Sequence, residues 1–572
     1  MSKQNSSLHL ITGVVLTLMV GVVSANGQEA SLIVTGGKVW TGDPATPWAE
    51  AVAVGGGRIL AVGSRSQIDG LRGPDTEVLD VAGGFVAPGF IDNHTHFNRA
   101  AALLLGANLL DVADSEGLKT RIREARDRMP KGAWIVGGDW GAYEEWALGG
   151  TGGEDAVSRE AMFSPDRQII EDLTPENPVL LWRWDRSAYL ANSSALAAAG
   201  ADCTWAGVEC IDGETTGCLG PEAGERIRTA IPPKSVEQLL AEARSALQRL
   251  RQFGVTTIHD ITTAEQLEVY QELARRNELT VRIYARPTLD RWEELAALGI
   301  QHGFGDDWIK IGGLKGFVDG IMGNSSARFY EPYLTSGERG SWRTMMKPEG
   351  NMEKLLLGAD NAGHWPQVHA IGDEAIDRLL DMYEEVIETN GPGDRRLRVI
   401  HTQVLRGPEV ARRMARLGII AEVQPYHCID DMRWMEKRIG ERSRWAYAFK
   451  TLQDAGVTLS FGSDWPGTNA SWYPANPIQG IYAAVTRQTL DGQPAGGWFP
   501  EERVDVETAL RAYTVNNAWV AGEEDLKGSL VAGKLADIVV LDGDPFEVSP
   551  SELKDLEVQF TILDGEIVFR AQ

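Results

Sequence analysis

Phe85-Val86-Ala87-Pro88-Gly89-Phe90-Ile91-Asp92-Asn93-His94-Thr95-His96 is an apolar run that closes on two histidines one residue apart. In an extended strand successive side chains alternate between faces, so Asp92, His94 and His96 point one way and Ile91, Asn93 and Thr95 the other. Two neutral imidazoles on one side of a strand end can grip one divalent cation. Alone, the pair is equally compatible with hydrogen-bonded core histidines. Its meaning depends on what the other strands bring to the same place.

Working outward, further apolar runs end in polar residues and are followed by helical periodicity. With 90–96 they are 255–260, 281–287, 308–315, 367–369, 397–401, 419–424 and 457–464. The helices between them have clear signals: 374–389 is amphipathic with Asp373 expected as its N-cap, and Pro408 opens a helix that Gly418 closes. Eight strand–helix units predict an α/β chain folded as a (β/α)8 TIM barrel. The two chain ends read differently. Short β patterns at 31–39, 51–62 and 76–81 are matched by 536–543 and 558–568, with Asp564-Gly565 as a hairpin turn. The expected organisation is a small β-sandwich built from both ends (29–86 and 528–572) around a barrel domain at 87–527. The stretch 113–229 breaks the repeat. It is rich in Trp, Gly and Pro and is read as an insertion that caps the barrel mouth.

The composition sets limits. The chain has 572 residues, 43% hydrophobic and 24% charged, with a formal net charge of −26. Such acidity argues against nucleic acid or an anionic membrane as partner, since both need clustered Lys and Arg; a small-molecule substrate is expected, and monomer or homo-oligomer is left open. At the N-terminus Lys3, an uncharged apolar run from Leu10 to Val23 and the small residues Val23-Ser24-Ala25 read as a signal peptide over 1–25. The expectation is a secreted or periplasmic protein with no stable membrane insertion after cleavage. In an oxidising compartment the clustered cysteines suggest a disulfide, and Cys203–Cys210 is the expected pair; the absence of a Cys-x-x-Cys motif argues against a zinc finger.

Active sites of such barrels lie at the C-terminal strand ends. Here strand one ends in His94 and His96, strand four in Lys315, strand five in His369, strand six in His401 and strand eight in Asp464. The spacing from His369 to His401 suits one strand–helix unit, and that from His401 to Asp464 suits two. A histidine on a strand, a snorkelling lysine or a turn-capping aspartate each has an ordinary explanation. Six such residues at five strand ends of one rim do not share one.

These residues sit in a pattern that resembles the amidohydrolase superfamily of metal-dependent hydrolases, in particular the family 3 subgroup that includes N-substituted formamide deformylase. The matching segments are Pro88-Gly89-Phe90-Ile91-Asp92-Asn93-His94-Thr95-His96, Gly254-Val255-Thr256-Thr257-Ile258-His259-Asp260, Lys315 with Asp319-Gly320, Val368-His369-Ala370-Ile371-Gly372-Asp373, Ile400-His401 and Gly462-Ser463-Asp464-Trp465-Pro466. The resemblance implies a centre of two divalent metals, usually zinc. His94, His96 and Asp464 would hold one, His369 and His401 the other, with Lys315 bridging as an N6-carboxylated lysine. A free ammonium beside two divalent cations is electrostatically untenable, whereas a carbamate is an anionic oxygen ligand. The implied reaction is hydrolysis of a non-peptide C–N bond of an amide-like small molecule by metal-activated hydroxide. Asp464 serves as catalytic base and then acid.

Other residues carry softer expectations. Asp92 and His259 are expected behind the ligands as orienting partners. The resemblance places His427, in Gln424-Pro425-Tyr426-His427, near the substrate, together with Asp319, Trp184 and Ser187. In Trp184-Asp185-Arg186-Ser187-Ala188 the subgroup commonly carries Asp-Gly-His; Arg186 and Ser187 replace the last two, which implies a different substrate. His302 and His364 read as structural. The tryptophans Trp134, Trp140, Trp146, Trp182, Trp184 and Trp205 suggest an aromatic-walled pocket or, equally, the insertion's own core. An ester, lactone or cyclic-amide hydrolase, or a deaminase, would use the same centre. A non-catalytic binding protein on this scaffold is the reading from another class.

Overall fold

The computed structural model describes residues 29–110, 112, 114–141, 166–183, 186–467 and 474–572. The segment expected as a signal peptide, Trp146 and Trp184 lie outside them. No helix among the described residues is long and apolar enough to cross a membrane.

Strands from the two chain ends form two sheets. One has the order Arg58–Gly63, Ala51–Gly55, Ala30–Thr35, Arg72–Asp80. The other interleaves both ends: Glu566–Arg570, Val558–Leu563, Ile538–Leu541, Phe85–Pro88, Lys38–Trp40, Trp48–Ala49. Period-two alternation assigns their faces. Val86, Ile538 and Val540 share one apolar cluster with Leu32, Val34, Val52 and Val54 of the first sheet. Their neighbours Phe85, Ala87, Val539 and Leu541 turn the other way and join the main core. Each fully buried Val or Ile there contributes roughly 1.5–3 kcal/mol. The Asp564-Gly565 turn has both residues at positive φ, 54° and 82°, as a tight two-residue hairpin requires.

Phe85–Pro88 runs directly into Phe90–Thr95 through Gly89, whose N–H bonds the Asp537 carbonyl at 2.9 Å. A Cβ at position 89 would lie 2.4 Å from the Thr256 side chain, so the close crossing needs glycine. The central strands form two five-stranded sheets. The first is Phe304–Gly305, Ile309–Ile311, Arg282–Arg286, Val255–Ile261, Phe90–Thr95; the second is Leu314–Phe317, Pro366–Ala370, Arg398–His401, Ile420–Val423, Leu459–Phe461. All neighbours pair in parallel except Phe304–Gly305. Among the described residues no single closed ladder is formed. The sheets meet at two seams, each carrying one isolated bridge, Thr288 with Lys315 and Thr95 with Trp465.

The run 308–315, expected as one strand, is two short ones in different sheets. The break is at Gly312-Gly313. A Cβ at 312 would lie 2.1 Å from the Tyr284 ring and one at 313 would lie 2.0 Å from the Gln367 amide. The chain therefore bends there at close quarters and hands over from one sheet to the other. The helix expected to be capped by Asp373 spans Asp373–Asn390 with Gly372 as N-cap; the Asp373 carboxylate instead accepts the Tyr330 N–H at 3.0 Å. Pro408–Leu417 starts at the proline and ends at Gly418 in the left-handed conformation, as its sequence predicts.

The insertion has its own five-stranded sheet, Val208–Ile211, Glu214–Leu219, Tyr189–Ala191, Val179–Arg183, Ile135–Trp140. Trp140 is buried in its core, and Trp134, Trp182 and Trp205 pack against it. Cys203 and Cys210 are disulfide-bonded within it.

Candidate metal centre

Parallel strands bring their C-terminal ends to one rim. His94, His96, Lys315, His369, His401, Asp464 and His427 all line one cavity of about 230 Å³ there. The nearest approaches are imidazole to carboxylate. Asp464 Oδ1 lies 3.0 Å from His96 Nε2 and 3.5 Å from His94 Nε2, and Asp464 Oδ2 lies 3.8 Å from His427 Nε2. The His369 and His401 rings are 4.5 Å apart, and His94 and His401 5.3 Å. Ligand atoms of His94, His401 and Asp464 all lie within 4.8 Å of one another, close enough to share a cation. This tightest group takes members from both of the ligand sets expected from the sequence.

The seam explains how Asp464 reaches His94. Asp464 N–H bonds the His94 carbonyl and His96 N–H the Trp465 carbonyl, both at 2.8 Å. Gly462 makes this possible, since a Cβ there would lie 2.1 Å from Asn93 Oδ1 and 2.8 Å from the His94 nitrogen. Asp92 pins the same turn. Its Oδ1 accepts the N–H groups of His94 at 3.1 Å and Ser463 at 2.9 Å, and its Oδ2 accepts the Ser463 hydroxyl at 2.5 Å. Asp92 therefore braces the backbone beside His94 and Asp464. His401 (φ 74°), Thr402 (φ 43°) and Asp464 (φ 57°) hold left-handed backbone without being glycine, conformations that persist when the surroundings over-determine them and that cluster at functional sites.

Hydrogen bonds decide which ring nitrogens remain for a metal. Nδ1 of His94 meets Glu422 Oε1 at 3.0 Å and Arg286 Nη2 at 2.9 Å, so Nε2 faces Asp464. His401 Nδ1 donates to Gln424 Oε1 at 2.7 Å, which leaves Nε2. His369 Nε2 donates to the Gly320 carbonyl at 2.8 Å, which leaves Nδ1. Burial, reinforced by Lys315 and Arg286, pushes His94 well below its ordinary pKa; burial with His369 does the same to His401. Both are neutral, as metal ligation requires. Burial opposes ionisation of Asp464, yet the hydrogen bond and charge of His96 hold its carboxyl below the usual range. Lys315 Nζ is fully buried with no hydrogen-bond partner, and burial with the Arg286 charge drives its pKa far down. A buried carboxylate among imidazoles, two of them held neutral by burial, beside a buried amine without a hydrogen-bond partner is a donor set that fits a divalent cation.

Other expected residues fall elsewhere. Asp319 is buried beneath His369 and not on the cavity wall. Its oxygens accept the N–H groups of Ile371, Gly372 and Arg328 at 3.1, 3.0 and 2.8 Å, so it shapes the turn after His369. His259 bonds Arg398 Nη1 at 3.2 Å through its ring, and its carbonyl accepts from Arg286 Nη2 at 3.0 Å, the same nitrogen that meets His94 Nδ1 at 2.9 Å, so it stands one residue behind His94. Ser187 is exposed on the insertion and is not among the cavity-lining residues. No described Trp lines the cavity; its aromatic wall is Phe317. His302 stacks on Trp365 at 3.5 Å and His364 is buried; neither lines the cavity.

Several residues behind and around the site were not singled out from sequence. Glu422 is buried between Arg286 at 2.8 Å and Arg398 at 3.0 Å, below His94. A charged residue inside the apolar run Ile419-Ile420-Ala421-Glu422-Val423 was the available signal, because a buried charge needs partners. Asp431, Gln403, Arg99 and Arg343 line the cavity. Arg99 ties the insertion to the rim, bonding Asp139 at 2.7 Å and the Gly467 carbonyl at 2.6 Å.

Comparison with known proteins identifies the family. The amidohydrolase family model matches residues 77–569. Protein LONG AFTER FAR-RED 3 of Arabidopsis thaliana is 34% identical over 539 residues, covering 90% of this chain and 88% of that protein. N-substituted formamide deformylase of Arthrobacter pascens is 28% identical, covering 94% and 98%. A solved structure described as an uncharacterized metal-dependent hydrolase from Pyrococcus furiosus superposes with a TM-score of 0.70 at 26% identity, covering 90% of this chain and all of that one. With a family match over most of its length and a relative above 30% identity along nearly all of it, the chain belongs to the amidohydrolase family.

Proposed function

We propose that this protein is a metal-dependent hydrolase that cleaves a non-peptide C–N bond in an amide-like small molecule. The observation that carries the reading is the buried Asp464 carboxylate held among histidines whose remaining nitrogens converge on it. The name of the Arthrobacter pascens relative, a formamide deformylase, favours an amide carbon as the target. The two half-sheets read as the halves of a (β/α)8 barrel, and the two terminal sheets as a β-sandwich. The bonded Cys203–Cys210 pair and the pattern of residues 1–25 favour a secreted or periplasmic location.

Two divalent ions, zinc by preference for imidazole and carboxylate, would be held by His94, His96 and Asp464 and by His369 and His401. When bound, such ions polarise a carbonyl and make water a nucleophile near neutral pH. The chain's own residues do the rest. Asp464 Oδ1 faces His94 and His96, so Oδ2, on the His427 side, takes the proton of the attacking water and returns it to the leaving nitrogen. Lys315, kept as the free amine, is in the form that reacts with carbon dioxide: its nitrogen would bond the carbon, one proton would leave, and the resulting carbamate would offer the ions an anionic oxygen ligand. The apolar wall of Phe317, Ile321, Met322 and Ile371 excludes water from the bound substrate.

The test is a hydrolysis screen of formamides, N-acyl amines, lactams and esters with metal-loaded protein. Amine release that disappears on metal removal and returns with zinc is expected. Ester cleavage without amine release from any amide would overturn the C–N assignment.

A further inference from the structure

Asp431 lies on the cavity wall with no part in the chemistry above. It closes the short helix Pro425–Asp431, one turn after His427, so both residues share a face. His427 is the one beside Asp464, which places Asp431 a further helical turn, about 5–6 Å, from the reacting end. Its Oδ2 accepts two hydrogen bonds, from the Tyr447 hydroxyl at 2.5 Å and from Gln403 Nε2 at 2.7 Å. The cluster is braced: Tyr447 N–H bonds the Gln403 carbonyl at 2.8 Å, and Arg487 Nη1 bonds the Tyr447 carbonyl at 2.7 Å. Tyr447 spends its one proton on Asp431; both bonds favour the carboxylate against the burial that pushes its pKa up to about 8, so the carboxylate is the form that a cationic ligand draws out and that stands free at higher pH. With Oδ2 taken, Oδ1 is the atom offered to what enters the cavity. A carboxylate oxygen on a cavity wall binds a hydrogen-bond donor and penalises an apolar group that displaces its water.

We propose that Asp431, positioned by Tyr447 and Gln403, is a specificity-determining residue that recognises an N–H donor, best a protonated amine, carried by the substrate about one helical turn from the scissile carbon. The proposal rests on the C–N hydrolase reading. It assigns Asp431 to substrate selection and leaves proton transfer with Asp464.

The experiment uses three formylated amines of equal chain length whose far ends are an ammonium, a methyl and a carboxamide attached through its carbonyl. For the wild-type metal-loaded enzyme, kcat/KM for the ammonium compound should exceed that of the methyl compound by at least about tenfold, mainly through KM. In Asp431→Asn, which turns an amide N–H toward the cavity, that ratio should fall to about one and the carbonyl-bearing compound should gain on the other two. Equal rates for the three in wild type, or an unchanged ratio in Asp431→Asn, overturn the proposal while leaving the hydrolase reading intact. A second readout needs no turnover. A linear diamine should raise the melting temperature of wild type more than the matching monoamine, and the difference should vanish in Asp431→Asn. Diamine stabilisation without hydrolysis of any compound would sink the hydrolase reading and keep the binding role; no difference between diamine and monoamine would sink the binding role. Should Asp431→Asn fail to fold, Tyr447→Phe, which keeps the carboxylate and removes one of its two supports, is expected to reduce the ammonium preference about threefold or more, and an unchanged preference counts against the proposal.

Discussion

At the scale of single residues, the rim was legible because rare polar types stand at the ends of apolar runs. His94, His96, Lys315, His369, His401 and Asp464 needed no knowledge of packing, only of where strands stop. Asp431 and Glu422 were not legible in this way, since their roles come from partners on other elements. For Asp464→Asn, loss of the proton carrier predicts a fall in kcat of about a hundredfold or more with an unchanged circular dichroism spectrum. Glu422→Gln removes the anion between two buried guanidinium groups and should destabilise the protein by about 3–5 kcal/mol, read from the denaturant midpoint. Asp431 gives a pH prediction of opposite sense to a stabilising carboxylate. Burial pushes its pKa up to about 8, against the hydrogen bond from Tyr447 and with the charges of Asp430 and Arg438 nearby. Between the ordinary carboxylate range and pH 8 the unfolded chain is ionised while the folded one keeps its proton, so stability falls as pH rises through that window. Asp431→Asn should therefore gain melting temperature over wild type at pH 8 and lose most of that gain by pH 4.5; a gain that is flat or larger in acid would contradict the assignment.

At the scale of elements, strand and helix order followed from periodicity, but seams did not. The 308–315 run looked like one strand because Gly312 and Gly313 carry no apolar or polar signal; their meaning lies in Tyr284 and Gln367, which press on them from other strands. The Asp373 cap misled for a similar reason, as Tyr330 claims its carboxylate and Gly372 is left to start the helix. The same logic gives a test at Gly462, where the two outer strands touch. Gly462→Ala drives a methyl group against Asn93 and the His94 backbone and should cost about 1–3 kcal/mol. It should also lower the metal content of the purified protein, because it displaces the turn that carries Asp464. A variant that keeps full metal content would show that the seam does not set the ligand geometry.

At the scale of the whole molecule, the two chain ends and the central sheets are one structural unit. Ile538–Leu541 lies antiparallel on Phe85–Pro88, the strand that continues into the His94 strand, and its alternate residues enter the main core. The strand carrying His94 is thus registered by residues more than four hundred positions away, which the matching β patterns at both ends foreshadowed. A chain lacking 528–572 is expected not to fold, as checked by size-exclusion and circular dichroism. The tryptophans of the insertion were read two ways from sequence, and for the described ones, Trp134, Trp140, Trp182 and Trp205, packing decides for its own core, because that segment has a separate sheet to cover. The central claim is that this fold exists to hold a divalent metal among the strand ends. The direct measurement is bound metal per chain by inductively coupled plasma mass spectrometry on purified protein, wild type beside Lys315→Ala. Two divalent ions per wild-type chain, reduced in the variant, is the predicted result; a wild-type protein that binds no divalent metal, even after incubation with zinc, would contradict the account.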